Sequence, residues 1–502
     1  MADAAPLLPS FGPWREGQAA GVKRPAPLDV ECPADGKIIA RVEMGTVADV
    51  DAAVKVAKEA LPAWSGLTMK ARATIMIKFH NLVTQHSDEL VGLIMKEHGK
   101  NRKEAEGDLA KGLETVEWAF SMPQVGQGKI LPVSGGIYCH DMREPVGVVT
   151  CIAPCNFPFM VPMWTVPIAL VSGNTVILKP SEKVPMTMAR AAELFIQAGV
   201  PRGAFQMVNG GREVVEALCD HKEIAALTFV GSSSVAELVH QRATAAGKKA
   251  LCLGGAKNHL VASPDCDIEM ASSDIVVSFS GCSGQRCMAA AILLTIGDQP
   301  KLLEKVCAKA KALGRGQEGG QVGPVIDKAA QERIVRHINA AERDGATVLV
   351  DGRSWAEEKS GHWVGPTVLQ FPPEMKDHPA MREEIFGPVI CVRTVKDAQE
   401  ALEVERADPH GNAACIYTQS GETADWFARN FGAAMIGVNI GVPVPREPFS
   451  FGGLEGSRSK FGEHDITGEG AMNFFTKVRK VTTRWTSKPN AAPDLASFAG
   501  VM

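Results

Sequence analysis

One cysteine stands out for its chemical surroundings. In Phe279-Ser280-Gly281-Cys282-Ser283-Gly284-Gln285-Arg286-Cys287-Met288, small residues lead up to Cys287, and an apolar run, Ala289 to Leu294, follows it. Glycine lets a backbone approach a ligand closely or adopt positive φ. A thiol placed there, beside Arg286, could lie on the floor of a cleft with its thiolate favoured by the neighbouring positive charge. The competing reading is a buried cysteine that behaves as a small hydrophobe. Cys287 alone does not choose between the two.

A second group of residues could hold a phosphate-bearing ligand. No G-x-G-x-x-G follows a strand pattern, so the usual dinucleotide fingerprint is absent. Instead Leu227-Thr228-Phe229-Val230-Gly231-Ser232-Ser233-Ser234 reads as a strand, a glycine and serines that open a helix. The free N–H groups of that helix and the Ser232 hydroxyl are a seat for a pyrophosphate oxygen, although the same pattern is an ordinary N-cap. Lys179-Pro180-Ser181-Glu182 closes another strand. A carboxylate at Glu182 could accept from both ribose hydroxyls and would repel a 2′-phosphate, which favours NAD; Lys179 and Lys183 soften that repulsion.

These residues need a scaffold, and the hydrophobic pattern supplies one. Thr46 to Leu61 reads as a helix, with Thr46 as N-cap and Asp49 three residues on. Lys70 to Glu97 and Lys103 to Phe120 read as further helices, and Gly126 to Tyr138 as a hairpin. From Val146 onward short apolar runs alternate with helical stretches: Val146–Ala153, Thr175–Lys179, Phe205–Val208, Ala226–Val230 and Ala250–Leu253. A second series follows at His259–Ala262, Ala290–Ile296, Val348–Val350, Val389–Val395, Ala414–Thr418 and Met435–Asn439. Such alternation predicts an α/β fold with parallel sheets wound by helices, binding ligands beyond the carboxyl ends of the strands. The segment Gly470 to Trp485 reads as a strand that pairs with the hairpin or with a partner subunit.

Bulk properties narrow the class. A chain of 502 residues exceeds one hydrophobic core, so two or three domains are expected. A net charge of −4 carries no electrostatic footprint for nucleic acid. Twelve cysteines without a CxxC pair point to reduced thiols in a reducing compartment and to no zinc or other metal site. Residues 145–178 carry no charge, yet Pro154, Pro158, Pro162 and Pro167 with Asn156 and Asn174 argue against a membrane span. The residues from Met1 to Pro6 show neither a signal peptide nor an organellar targeting helix, which predicts a cytoplasmic protein, or a mitochondrial-matrix one if a transit peptide was removed.

Six motifs then occur in one order: Cys155-Asn156-Phe157-Pro158, Leu178-Lys179-Pro180-Ser181-Glu182, Phe229-Val230-Gly231-Ser232, Leu253-Gly254-Gly255, Gly284-Gln285-Arg286-Cys287 and Glu384-Ile385-Phe386-Gly387-Pro388. Together they resemble the aldehyde dehydrogenase superfamily from about residue 35 to Trp485. The resemblance implies an NAD-binding domain (1–125 and 144–255), a catalytic domain (256–448) and an oligomerisation flap (126–143 and 470–488) that builds a homodimer or homotetramer. It implies Cys287 as nucleophile, with Asn156 and the Cys287 N–H as oxyanion donors. Lys179, Glu182 and Ser232 then match contacts to the adenosine ribose and pyrophosphate of NAD, and Glu384 the contact to the nicotinamide ribose. Ala153, Cys155, Lys183 and Gly254 occupy neighbouring positions in the same binding site.

One departure bears on the reaction. Hydrolytic members carry Glu-Leu-Gly-Gly, whose glutamate activates water, whereas this chain reads Cys252-Leu253-Gly254-Gly255-Ala256-Lys257-Asn258-His259. A cysteine does not replace a carboxylate base at neutral pH, while a thiol acceptor such as coenzyme A needs less help. The phrase 255–259 and Ile152-Ala153-Pro154 are similar to the CoA-acylating methylmalonate-semialdehyde dehydrogenase branch. That branch implies oxidation of methylmalonate or malonate semialdehyde, with carbon dioxide release, to propionyl-CoA or acetyl-CoA. Alternatives are a hydrolytic enzyme acting on another short or carboxylated aldehyde, and a catalytically idle relative. Arg286 matches a cation for the substrate carboxylate. A second arginine of the branch is replaced by Lys111, which keeps the charge but loses the bidentate fork. Arg446-Glu447 places charge where the branch is commonly apolar, and Phe157, Met163 and Trp164 are expected along the substrate tunnel.

Overall fold

The structure is a computed structural model that describes residues 5–12, 15, 23–126, 128–134, 136–357 and 360–485. The start of the chain and positions 486–488 of the expected flap lie outside the described residues.

Two large sheets carry the fold. The first has six strands in the order Lys460–Phe461, Lys249–Leu253, Ile224–Val230, Val148–Ile152, Thr175–Lys179 and Phe205–Met207. All its neighbours are parallel except the Lys460–Phe461 edge. Burial on both faces explains why these strands read as continuous apolar runs. Val149, Cys151, Leu251 and Leu253 join one core with the helices Met69–Gln85, Arg102–Val125 and Met160–Val171. Val148, Ile152, Ala250 and Cys252 join another, under the helices Val47–Ser65, Arg212–Asp220 and Ser233–Ala245.

The second sheet has seven strands: Thr347–Val350, Thr367–Gln370, Val389–Val395, Ala290–Ile296, Asn258–Ala262, Ala413–Tyr417 and Met435–Val438. Only its Thr347–Val350 edge is antiparallel. A three-stranded antiparallel sheet pairs Thr476–Arg484 with Ile137–Pro145, and Ile137–Pro145 with Ile130–Ser134. The tail therefore pairs with the hairpin within the same chain, and it does so only after a short helix, Gly468–Phe474.

Local differences have local causes. The stretch expected as one helix over 70–97 is two, Met69–Gln85 and Ser87–His98, separated at His86. Asp88 and Glu89 in the first turn of the second helix suit a helix N-terminus. The Thr46–Asp49 capping box forms as expected. The uncharged run 145–178 becomes a buried strand, a turn, the helix Met160–Val171 and a second buried strand. Among the described residues no helix is long and apolar enough to cross a membrane. All twelve cysteines are unpaired.

Candidate active site

The helix Ile268–Ser280 ends at Gly281, and the chain then turns sharply: Cys282 and Ser283 both lie in the left-handed region, at φ 52° and 55°. Such backbone persists only where the surroundings over-determine it. Here the Glu104 carboxylate accepts the Cys282 N–H, the Ser283 hydroxyl donates to the Gly323 carbonyl, and the Gln285 Oε1 accepts the Ile326 N–H at 2.9 Å. Gly284 is needed for close approach, since a Cβ there would stand 2.0 Å from the Gly387 carbonyl oxygen. That contact brings the Glu384–Pro388 motif against the cysteine loop.

Cys287 emerges from this loop half-buried. Its carbonyl accepts from the Asn258 and Asn412 side-chain amides, both at 2.8 Å. It lines a cavity of about 470 Å³ with Phe157, Met160, Trp164, Met288 and Phe451. Phe157 and Trp164 thus stand where expected, whereas Met163 is fully buried in the core.

The thiol is not held as a thiolate. Burial, reinforced by the negative charge of Glu384, pushes Cys287 up to about 12, and Arg286 offsets only part of this. Arg286 acts in the expected direction, but desolvation outweighs one neighbouring cation. Below its pKa a thiol gains thiolate tenfold per pH unit. Alkylation of cofactor-free Cys287 by iodoacetamide should consequently rise about tenfold per unit from pH 7 to 9, followed by mass spectrometry; a plateau below pH 8 would contradict the shift.

Asn156 is buried, and its side-chain amide donates to the Gln285 carbonyl at 3.0 Å, two residues before Cys287. Its own carbonyl accepts from Lys100 Nζ at 2.8 Å. Lys100 is in turn buried against Asp108 Oδ2 at 3.0 Å and lies 4.1 Å from the Phe157 ring centroid. Asp108 Oδ1 accepts the Met160 N–H at 2.7 Å. A buried ion pair thus ties the Arg102–Val125 helix to the asparagine loop. Lys100, Glu104, Asn258 and Asn412 escaped the sequence reading; Asn258 alone lay within a quoted motif, and nothing local marks the others.

Arg286 and Lys111 both line the cavity. Arg286 Nη2 donates to the carbonyls of Val277 at 2.6 Å and Ser278 at 2.9 Å, which holds the guanidinium over Gly281. Lys111 Nζ pairs with Glu114 at 2.6 Å.

On the other side of Cys287, the carboxyl ends of the six-stranded sheet converge. Ala153 N–H donates to the Lys179 carbonyl at 3.0 Å, so the ends of Val148–Ile152 and Thr175–Lys179 are adjacent. Lys179 Nζ and Glu182 pair at 2.7 Å. Burial works to raise Glu182, but Lys179 and Lys183 prevail and its carboxyl lies below the usual value. Lys183 is itself engaged by Asp327, the N-cap of the helix Lys328–Asp344, and Cys155 packs half-buried beside that junction. Ser232 is exposed at the start of Ser233–Ala245, and its hydroxyl makes no capping bond. An open helix N-terminus at Ser232 and a carboxylate at Glu182, after strands on either side of Val148–Ile152, suit a dinucleotide with a free ribose diol. Gly254 serves close packing, since a Cβ would lie 2.3 Å from the Arg458 carbonyl oxygen. Glu384 accepts the Ala256 N–H at 3.0 Å and lines a narrow slot with Cys287.

Cys252 is absent from both cavities. Its thiol is fully buried in the core under Val47–Ser65 and Ser233–Ala245, whereas Cys287 packs with the core on the opposite face of that sheet. The sequence reading made residue 252 the one that decides how an acyl group leaves. The structure corrects this, because strand alternation turns the side chain away from the site.

Comparison with known proteins agrees with this geometry. A sequence profile of the Aldehyde dehydrogenase family matches residues 21–481. Malonate-semialdehyde dehydrogenase 1 of Geobacillus thermodenitrificans (strain NG80-2) is 39% identical over 480 residues, covering 94% of this chain and 97% of that protein. Malonate-semialdehyde dehydrogenase 1 of Oceanobacillus iheyensis is 40% identical over 459 residues, covering 90% and 94%. Among solved structures, the methylmalonate-semialdehyde dehydrogenase of Oceanimonas doudoroffii superposes with a TM-score of 0.92 at 36% identity, covering 96% of this chain and 99% of its own. A Sinorhizobium meliloti 1021 protein assigned as methylmalonate-semialdehyde dehydrogenase and solved with NAD gives 0.92 at 35%, covering 97% and 99%.

Proposed function

This chain belongs to the aldehyde dehydrogenase family and has its NAD-binding fold; from that premise we propose that it oxidises malonate or methylmalonate semialdehyde and transfers the acyl group to coenzyme A. Cys287 gives up its thiol proton to solvent, and the Sγ thiolate adds to the aldehyde carbon. The developing oxyanion is met by the Cys287 N–H and by the second N–H of the Asn156 amide, whose first is engaged by Gln285. Bound NAD would supply the hydride acceptor, so that the acyl group would remain on Cys287 as a thioester. Lys179, Glu182 and Ser232 are the residues to hold its adenosine half and Glu384 its nicotinamide ribose, with Ala153, Cys155, Lys183 and Gly254 shaping the site.

Attack by the coenzyme A thiolate on the thioester carbonyl then forms the new C–S bond and expels the Cys287 thiolate. Loss of carbon dioxide from the carboxylated acyl group, with uptake of a solvent proton at the α-carbon, leaves acetyl or propionyl. Arg286 is the cation placed to meet the substrate carboxylate, with Lys111 farther along the cavity wall.

What supports coenzyme A over water is the state of the carboxylates that line the cavities. The carboxylates that line the cavities are already acceptors: Asp108 for Lys100 and the Met160 N–H, Glu104 for the Cys282 N–H, and Glu384 for the Ala256 N–H. Steady-state NADH formation from malonate semialdehyde should accelerate at least about tenfold on adding coenzyme A, with an acyl-CoA as product. Equal rates with and without it would establish the hydrolytic alternative.

The same reading assigns the six-stranded sheet to the cofactor and the seven-stranded sheet to the Cys287 loop. It gives the three-stranded sheet to a homodimer or homotetramer contact, and its exposed Ile130, Leu131 and Val133 support that role. Twelve unpaired thiols support a cytoplasmic location.

A further inference from the structure

The cavity rim carries a charge cluster around Lys111, and the proposed reaction leaves its other members without a role. Lys111, Glu114 and Thr115 lie on neighbouring turns of the Arg102–Val125 helix, where positions three and four apart share a face. Lys111 lines the cavity and pairs with Glu114 at 2.6 Å. Thr115 Oγ1 donates to Glu447 Oε1 at 3.3 Å, which draws in a carboxylate from the segment that follows Val442 and Val444. Those two valines form part of the same cavity wall. Glu447 is half-buried, and the charges of both Glu114 and Lys111 reach its carboxyl. Two acidic groups therefore lie about Lys111, while Lys103 of the same helix also lines the cavity. Elsewhere in the cavity lining, Arg286 uses Nη2 for two backbone carbonyls, and among the described residues its Nη1 forms no bond.

We propose that Glu447 is a specificity-determining residue: with Glu114 it neutralises Lys111, so that the cavity accepts a substrate carboxylate on the Arg286 wall and penalises one placed toward the Arg102–Val125 helix. The substrate class this selects is an aldehyde with a single carboxylate. A second acidic group, or a carboxylate that reaches the helix, meets the carboxylates of Glu114 and Glu447 there. An uncharged aldehyde of equal length experiences no such penalty.

The inference rests on the aldehyde-oxidising reading. Its test compares kcat/KM for malonate semialdehyde and for propanal in the wild type, Glu447→Gln and Thr115→Val at pH 8 and low salt. In Glu447→Gln the value for malonate semialdehyde should rise about fivefold through a lower KM, the size of one partly screened charge interaction, while propanal stays within about twofold. Thr115→Val, which removes only the hydroxyl that holds the carboxylate, should move the ratio in the same direction by less. In the double variant Glu447→Gln/Lys111→Met the gain should vanish, because the released lysine is its source. An unchanged ratio in both single variants, or equal changes for both aldehydes, overturns the inference alone. A wild type that forms no NADH with any aldehyde overturns the reading and the inference together.

Discussion

Cys287→Ala should lower NADH formation by roughly 10⁴-fold or more, the scale on which loss of an attacking nucleophile is felt. Cys282, five residues earlier, also lines the cavity, but it is buried at 2% exposure and its N–H is bound by Glu104. Cys252 faces the opposite core. The variant should keep its fold, because Cys287 contributes a half-buried side chain and its carbonyl remains held by Asn258 and Asn412. Pre-steady-state absorbance at the NADH band and circular dichroism check the two halves of this expectation. A residual burst in the alanine variant would show that Cys287 is not the residue that bonds to substrate.

Lys100→Met should destabilise the protein by about 3–5 kcal/mol, because it strands the Asp108 carboxylate without its partner in the interior. Both side chains of this pair are fully buried, so neither charge has water to fall back on. The second variant, Lys100→Met/Asp108→Asn, removes both charges and should recover most of the loss in denaturant unfolding. Activity should stay low in the double variant, since the Asn156 carbonyl still lacks its 2.8 Å donor and the amide aimed at Gln285 loses its anchor. Recovery of stability and activity together would mean that Lys100 holds only the helix and not the asparagine.

Much of the scaffold was legible because burial on both faces leaves an unmistakable trace. Thr175–Lys179, Ala290–Ile296 and Val389–Val395 occur where the apolar runs predict them. The Thr46–Asp49 capping box was readable for a similar reason, since both partners lie within one turn. Less legible were edges such as Lys460–Phe461, two residues long and placed only by pairing with Lys249–Leu253. The break at His86 was also hidden, because two consecutive helices keep much the same polar and apolar rhythm.

For the site, the chain by itself determined which residue types are present and in what order: a thiol after a glycine turn, an asparagine after an uncharged strand, a carboxylate after another. It could not determine direction or partnership. Cys252 and Leu253 are adjacent in sequence, yet the pleat sends them to opposite cores, and only the helices packed on each face decide which of those is the catalytic side. Arg286 looked like an activator of its neighbour, but its guanidinium is held by the helix that ends before it, and burial governs the thiol. Lys100 with Asp108 carried no local mark, and Lys111 read only as a stand-in for a substrate-binding arginine, until packing buried the first pair and brought Glu447, more than three hundred residues away, beside Thr115 and the second. Desolvation and long-range contact are properties of the closed structure, and no local spacing encodes them.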